Sequence, residues 1–265
     1  MSPASTSGVR MSPIDRVRSI EWRNTEDFRL DGISYKNALG RRDLRTDEKA
    51  VVALKAPDFL EKYAQILERE KVDNIVELGV FQGGSALLFA SIFRPLKLVG
   101  VDICDPVPAL DKILSENPIG RSISIYYNTS QNDEAKLNEI FSREFGTEAI
   151  DLIVDDASHL YFETRASFEI CFPRLRPGGY YVIEDWGWAH WPGEFQTTSR
   201  FVHQRRPMSQ LIMRELRQAI ESIRIFPAIV FIRKGWATPS GKLNVDDLYL
   251  TQGRKFEFSA SSQDT

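Results

Sequence analysis

Two short apolar runs, DLIVDDASH (151–159) and RPGGYYVIED (176–185), decide the fold of this chain. Each run is rich in β-forming residues, and each contains an acidic pair where the apolar residues end, Asp-Asp in the first and Glu-Asp in the second. The residues between them suffice for one helix and a Pro-Gly-Gly turn, so the pattern predicts strand, helix, strand. A right-handed crossover makes such strands parallel, which brings both acidic pairs to the carboxyl edge of one sheet.

The acids at this edge predict a metal site. They are Asp155, Asp156, Glu184 and Asp185. Carboxylates brought together repel one another unless a cation, protons or hydrogen-bond donors compensate, and a hard divalent ion with oxygen ligands compensates well. His159 follows in the first loop, and ligands bind at the carboxyl edge of open α/β sheets. Carboxylates with one imidazole indicate metal-assisted proton abstraction.

A glycine loop precedes this stretch and predicts a second part of the ligand site. The run NIVELGV (74–80) predicts a strand, and FQGGS (81–85) leads into an apolar helix. Gly79 and Gly83 allow positive φ and let a ligand approach the backbone, while the helix start at Ser85 presents free amides. The alternative is a glycine loop that serves packing alone.

The residues around this loop favour a methyl donor over a dinucleotide. The loop lacks the spacing G-x-G-x-x-G, and Glu77 before its first glycine would repel a pyrophosphate. The same acid can orient the positively charged methionyl end of S-adenosylmethionine. Asp102 ends the second predicted strand, where it can accept hydrogen bonds from ribose hydroxyls or simply cap a turn. Gln131 follows the third strand, where a helix cap and an adenine neighbour would coincide.

Composition excludes several classes of partner. The chain has 265 residues and a formal net charge of -3, so it has no global basic field and we expect no nucleic-acid partner. It has no apolar run of membrane-spanning length and no apolar h-region near its start, so we expect neither a membrane partner nor a secretory signal. Its two cysteines lack paired spacing, which fits free thiols in a cytoplasmic protein. A homo-oligomer remains compatible with the sequence.

The glycine loop resembles the first motif of the class I S-adenosylmethionine-dependent methyltransferases. The similar residues are VELGVFQGGS (76–85), and Asp102 resembles the ribose acid of that family. Two β-rich runs near residue 230 resemble its closing antiparallel hairpin. The resemblance implies an α/β fold with a Rossmann-like, doubly wound sheet of seven strands. We therefore expect a disordered tail at 1–15, an N-terminal helical or lid segment at 16–71, the methyltransferase domain at 72–253 and a C-terminal tail at 254–265.

Within that superfamily, VDDASH (154–159) with RPGGYYVIEDW (176–186) is similar to the metal-dependent sugar O-methyltransferases, among them mycinamicin-type macrolide-sugar, rhamnosyl and polysaccharide enzymes. The similarity covers roughly residues 72–192. It implies that Mg²⁺ is held by three acids, that a histidine is the general base and that one further acid lies nearer the methyl donor. These residues are Asp156, Glu184 and Asp185 for the metal, His159 for the base and Asp155 for the donor.

The expected activity is Mg²⁺-dependent transfer of a methyl group to a sugar hydroxyl of a glycoside or oligosaccharide in natural-product or polysaccharide biosynthesis. The loop after the second acidic pair supplies the predicted acceptor residues, Trp186, Trp188, His190 and Trp191. Flat aromatic faces pack against the C–H faces of sugars, although these tryptophans could instead seal the edge of the domain. The alternatives are a catechol or small-phenol O-methyltransferase, a cephalosporin-modifying relative, or a noncatalytic module that senses the donor.

Overall fold

The computed structural model describes residues 11–39, 41, 43–187, 219–236, 243, 250–251 and 254–255. The α-helices of this part are α1 (Pro13–Arg18), α2 (Pro57–Ile66), α3 (Gly84–Phe93), α4 (Pro108–Glu116), α5 (Glu134–Glu144) and α6 (Tyr161–Cys171). The first strands are β1 (Glu21–Trp22), β2 (Asp27–Leu30), β3 (Ile33–Asn37), β4 (Val51–Ala53), β5 (Asn74–Leu78), β6 (Lys97–Val101) and β7 (Ile123–Tyr126). They are followed by β8 (Ile150–Asp155), β9 (Leu175–Glu184), β10 (Ile220–Ile225), β11 (Ile229–Lys234), β12 (Leu250–Thr251) and β13 (Arg254–Lys255).

A seven-stranded sheet carries the predicted site. Its order is β10-β11-β9-β8-β5-β6-β7, and β5, β8 and β9 pair in parallel while β9, β11 and β10 pair antiparallel. Every residue of β5 and β8 is buried, as expected of parallel strands covered on both faces. This arrangement confirms the predicted α/β, seven-stranded fold class and the antiparallel hairpin that closes it.

Strand β9 differs from its prediction. The sequence predicts a Pro-Gly-Gly turn before the strand, but β9 already begins at Leu175, and its register with β8 shifts across these residues. Ile150 is opposite Leu175 and Leu152 is opposite Tyr180, so the extra residues form a bulge. Gly178 lies in this bulge with φ +75°, a conformation that glycine adopts without strain. The Pro-Gly-Gly sequence therefore marks a break in regular strand pairing, as predicted. The break lies inside β9 as a bulge, and not before the strand as a turn.

The N-terminal segment contains a small sheet of its own. Strands β1 to β4 form a four-stranded sheet in sequence order, with β3 and β4 parallel, so the expectation of a helical segment is wrong for 21–53. Alternating burial along β2 and β3 gives each strand one covered face. Asp31 and Gly32 join these strands with φ of 51° and 81°, as a two-residue hairpin turn requires. The lid role of this segment stays a prediction.

Several predicted boundaries shift. Helix α1 begins at Pro13, inside the expected tail 1–15, and its cap Ser12 accepts a hydrogen bond from the Asp15 amide at 3.2 Å. The boundary predicted at 253 falls between β12 and β13, which pair as a hairpin.

The chain forms two compact units, of which the first takes in residues 81–98 and 106–124 besides the N-terminal part. None of the helices in the described ranges is both long and apolar enough to cross a membrane.

Candidate functional site

Three of the predicted site residues form one group at the edge of the large sheet. Asp156, His159 and Asp185 each offer a ligand atom, and these atoms lie within 4.8 Å of one another. The Nε2 atom of His159 is 3.9 Å from a carboxylate oxygen of Asp156 and 3.9 Å from one of Asp185. All three side chains are partly exposed, so a ligand can reach them. The group combines two anionic oxygen ligands with one proton acceptor.

Adjacent parallel strands bring these residues together. Asp156 and His159 belong to the loop after β8, and Asp185 directly follows β9, the parallel neighbour of β8. His159 and Asp185 adopt positive φ of 59° and 50°, which costs a non-glycine residue about 1 kcal/mol or more. The Asp185 amide donates to the Ala228 carbonyl at 2.7 Å, and the Asp156 amide donates to the Leu78 carbonyl at 2.9 Å. Backbone hydrogen bonds thus hold both ligand-bearing loops.

Asp155 lies in a buried polar network. Its carboxylate accepts hydrogen bonds from Ser167 Oγ, from Tyr181 Oη at 2.8 Å and from Gln131 Nε2 at 3.1 Å. Burial raises the pKa of the Asp155 carboxyl to about 6, although the bonds from Ser167 and Tyr181 act in the opposite direction. The donor roles expected of Asp155 and Gln131 stay predictions. Both side chains are engaged with protein groups.

The acid after β6 holds two loop amides. One carboxylate oxygen of Asp102 accepts from the Val80 amide at 2.7 Å and the other accepts from the Cys104 amide at 2.8 Å. Asp102 therefore caps these two loop amides, and the ribose contact predicted for it stays a prediction. Glu77, in the same part of the sheet, is fully buried in β5.

Gly79 lies against the loop that carries the metal group. Its φ is +87°, and a Cβ atom at this position would lie 2.3 Å from the carbonyl oxygen of Asp156 and 2.6 Å from Cα of Ala157. The Gly79 amide donates to the Val101 carbonyl at 2.8 Å. Glycine is required here by its conformation and by the close approach of two backbones.

The other predicted residues of the glycine loop lie in the first compact unit. Gly83 caps α3 with φ +89°, and Ser85 is buried in the first turn of that helix. Thr46, for which the sequence predicts no role, donates from Oγ1 to the Gln82 carbonyl at 2.7 Å, and its amide donates to Gln82 Oε1 at 2.9 Å. The roles predicted for Gly83 and Ser85 stay predictions.

The remaining predicted residues are Glu184 and the acceptor residues of the tryptophan loop (186–191). Glu184 is buried at the end of β9, opposite Ile229 of β11. It is not a member of the metal group, whose third residue is His159. The indole N–H of Trp186 donates to the Phe226 carbonyl at 2.8 Å, and its ring packs on the hydrophobic core. This supports the alternative that Trp186 seals the domain. The other acceptor residues, Trp188, His190 and Trp191, lie outside the described residues.

Sequence comparison identifies the family of this region. Residues 76–186 match the family model described as a methyltransferase domain. A relative from Micromonospora griseorubida, mycinamicin VI 2''-O-methyltransferase, is 34% identical over 132 residues, which are 47% of this chain and 30% of the relative. A tetracenomycin-C rhamnosyl 2'-O-methyltransferase from Streptomyces olivaceus is 31% identical over 131 residues, 47% of this chain and 31% of the relative. The chain thus matches less than a third of the length of either relative.

Structure comparison agrees with this assignment. The MycE methyltransferase of mycinamycin biosynthesis, solved in complex with Mg, SAH and mycinamycin VI, is similar at a TM-score of 0.51 and 26% identity, covering 70% of this chain and 51% of that one. A caffeoyl-CoA O-methyltransferase structure from Staphylococcus aureus shares the fold at a TM-score of 0.54 and 17% identity, covering 70% and 86% of the two chains. Residues 76–186 therefore match the model of the methyltransferase domain, and the chain has the seven-stranded α/β fold of class I methyltransferases.

Proposed function

We propose that this protein is a divalent-cation-dependent O-methyltransferase that transfers the methyl group of S-adenosylmethionine to a sugar hydroxyl. The observation that carries the proposal is the group formed by Asp156, His159 and Asp185 at the carboxyl edge of a methyltransferase sheet. The mycinamycin enzyme with the same fold was solved with Mg and SAH, and the two relatives from Micromonospora and Streptomyces are sugar O-methyltransferases by name.

The donor set of the group fits a hard divalent cation. Asp156 and Asp185 each offer a carboxylate oxygen within 4.8 Å of the other ligand atoms, and Mg²⁺ prefers oxygen ligands. Glu184 stays the predicted third acid. When bound, such a cation would lower the pKa of an acceptor hydroxyl, which as a free alcohol is a poor nucleophile at neutral pH.

His159 is the general base in this proposal. Imidazole is the side chain that most often takes up a proton in general base catalysis at neutral pH. The Nε2 atom of His159 lies 3.9 Å from a carboxylate oxygen of Asp156 and 3.9 Å from one of Asp185, so an acceptor hydroxyl held by a cation at these acids would lie next to the imidazole. This placement favours His159 as the acceptor of the hydroxyl proton.

Asp102 is proposed to hold the ribose of the donor. Asp102→Asn keeps one carbonyl oxygen for the loop amides but removes the charge, and the loss of a charge-assisted hydrogen bond should weaken S-adenosylmethionine binding by about ten- to a hundredfold. Isothermal titration calorimetry measures this change. Asp105→Asn is the matched control, because Asp105 is exposed three residues further along, and donor affinity should stay within about twofold. Equal affinities in all three proteins would remove Asp102 from the donor site.

Turnover with labelled donor tests the whole proposal. Purified protein is incubated with S-adenosylmethionine and a panel of glycosides and catechols, before and after EDTA treatment. We expect methylation of a glycoside that EDTA abolishes and added Mg²⁺ restores, because carboxylate oxygens select a hard cation. Full activity after exhaustive chelation would reject the cation, and a preference for catechols over every glycoside would reject the sugar acceptor.

A further inference from the structure

We propose that Gln131 is a positioning residue for His159 and Asp156, because its side chain fixes the backbone of the loop that carries them. The inference rests on the proposed function only in taking these two residues as the base and a cation ligand. It assigns to Gln131 a role that differs from the donor contact predicted from the sequence. The hydrogen bonds of a single buried carboxamide carry it.

Gln131 connects two distant segments of the chain. It is buried, with 6% of its surface exposed. Its Oε1 atom accepts a hydrogen bond from the Ser158 amide at 2.9 Å, and its Nε2 atom donates to the two Asp155 carboxylate oxygens at 3.1 and 3.3 Å. The side chain of Gln131, from the segment after β7, therefore binds both Asp155 at the end of β8 and Ser158 in the loop that follows β8.

Asp155 fixes the orientation of this carboxamide. An ionised carboxylate only accepts hydrogen bonds, so the NH₂ group of Gln131 must face it and the carbonyl oxygen must face Ser158. The opposite orientation would place an oxygen against the carboxylate and an NH₂ group against the Ser158 N–H. The hydroxyls of Ser167 and Tyr181 donate to the same carboxylate, and Ser167 Oγ also accepts from Gln131 Nε2 at 3.2 Å. Buried donors and acceptors thus leave one arrangement for Gln131.

The anchored Ser158 amide lies between two residues of the metal group, Asp156 and His159. Ser158 directly precedes His159, whose φ of 59° is strained, and lies two residues after Asp156. The Asp156 amide is bound to Leu78 at 2.9 Å, and the Leu160 amide is bound to Ser158 Oγ at 3.2 Å. Without Gln131, the loop would be held at Asp156 while the Ser158 amide lost its acceptor. His159 would then lose its fixed position relative to the two carboxylates.

Two variants separate this role from a general contribution to the buried network. Gln131→Met has a similar length but no hydrogen-bonding groups, so Asp155 loses a donor and Ser158 loses its acceptor. Ser167→Ala is the control, because Asp155 again loses a donor and Gln131 Nε2 loses one of its acceptors, while the bond from the Ser158 amide to Gln131 Oε1 remains. Both variants should lower thermal stability. Only the first should affect the loop.

The measurements are amide hydrogen exchange at Ser158 and His159 by NMR and the affinity for Mn²⁺ by electron paramagnetic resonance. Loss of one buried hydrogen bond corresponds to about a tenfold change, so Gln131→Met should accelerate exchange at Ser158 about tenfold and weaken Mn²⁺ binding about tenfold. Ser167→Ala should change both by less than about twofold. With an active acceptor, kcat of Gln131→Met should fall as well.

A double variant that swaps the acid and the amide between positions 155 and 131 tests whether the loop can be restored. In Asp155→Asn, one of the two oxygens that accept from Gln131 Nε2 becomes an NH₂ group, so Gln131 meets a donor as well as an acceptor. Its carboxamide is then held less firmly, or it turns over and presents NH₂ to Ser158, and either outcome should accelerate exchange at Ser158. Adding Gln131→Glu restores an acceptor toward both groups, so the double variant should return exchange and Mn²⁺ affinity toward those of the original protein.

The outcomes distinguish the inference from the proposed function. If Ser158 exchanges equally fast in Gln131→Met and Ser167→Ala, or if the double variant gives no recovery, the inference is wrong whether or not Mn²⁺ binds. It is also wrong if exchange accelerates but Mn²⁺ affinity and kcat do not change. If the original protein binds no Mn²⁺, the cation of the proposed function fails, and exchange at Ser158 and His159 together with kcat still decides the role of Gln131.

Discussion

Replacing His159 with alanine is expected to lower kcat by about 10²- to 10⁴-fold while leaving the affinity for S-adenosylmethionine within about twofold. The reason is that the imidazole Nε2, 3.9 Å from each of two carboxylates, is the proposed acceptor of the hydroxyl proton. Steady-state kinetics with the methylated glycoside measure kcat, and calorimetry measures donor binding.

A second substitution controls for the backbone of this residue. His159 has φ of 59°, a conformation that alanine adopts only with strain, whereas asparagine tolerates it better. His159→Asn therefore relieves strain but supplies no proton acceptor, and it should be about as inactive as the alanine variant. Turnover close to normal in His159→Asn would show that the alanine result reports the loop conformation and would remove the base role.

Replacing Gly79 with alanine is expected to lower the free energy of unfolding by about 2–5 kcal/mol, the sum of overpacking and of an unfavourable φ. The new Cβ would lie 2.3 Å from the Asp156 carbonyl oxygen, and a backbone atom on this side cannot move as a flexible side chain could. Donor binding should also weaken, because Gly79 and Val80 lead into the loop that Asp102 holds. Chemical denaturation measures the stability, and calorimetry the binding.

The matched control is Gly32→Ala. Gly32 has nearly the same φ, +81° against +87° for Gly79, but no atom of the described residues lies within 4 Å of its added Cβ. This substitution should cost only the conformational part, about 1–2 kcal/mol. If both variants lose the same stability, the close approach to Asp156 is not the cause.

The large sheet could be predicted because its strands are encoded locally. Strands β5 and β8 are buried at every residue and are mostly apolar in sequence, and each is followed by a glycine or acidic loop. Strands β1 to β3 of the N-terminal sheet lack such apolar sequences, and their one strong local signal is the Asp31-Gly32 pair, which favours a hairpin between alternating residues. The β9 bulge at Gly178 has the sequence signal of a turn, since glycine and proline mark both features.

The site was predictable where residues follow neighbouring strands. Asp156, His159 and Asp185 come together because two parallel strands end at one edge, a rule that needs no knowledge of side-chain packing. The bond of Gln131 to Ser158 could not be predicted in this way. It depends on the rotamer of one buried amide and on hydroxyls that enter from α6 and β9. The roles of Glu184 and the tryptophan loop remain predictions.

The close contact of Gly79 with the Asp156–Ala157 peptide changes what a glycine at this position tells an evolutionary biologist. The need for glycine arises inside the protein, from two touching backbones, and would persist in a descendant that no longer bound any nucleoside. Its presence in a related sequence is therefore weak evidence of cofactor use. For an engineer, the same contact means that the two loops should be transplanted together, since either one alone meets a foreign surface.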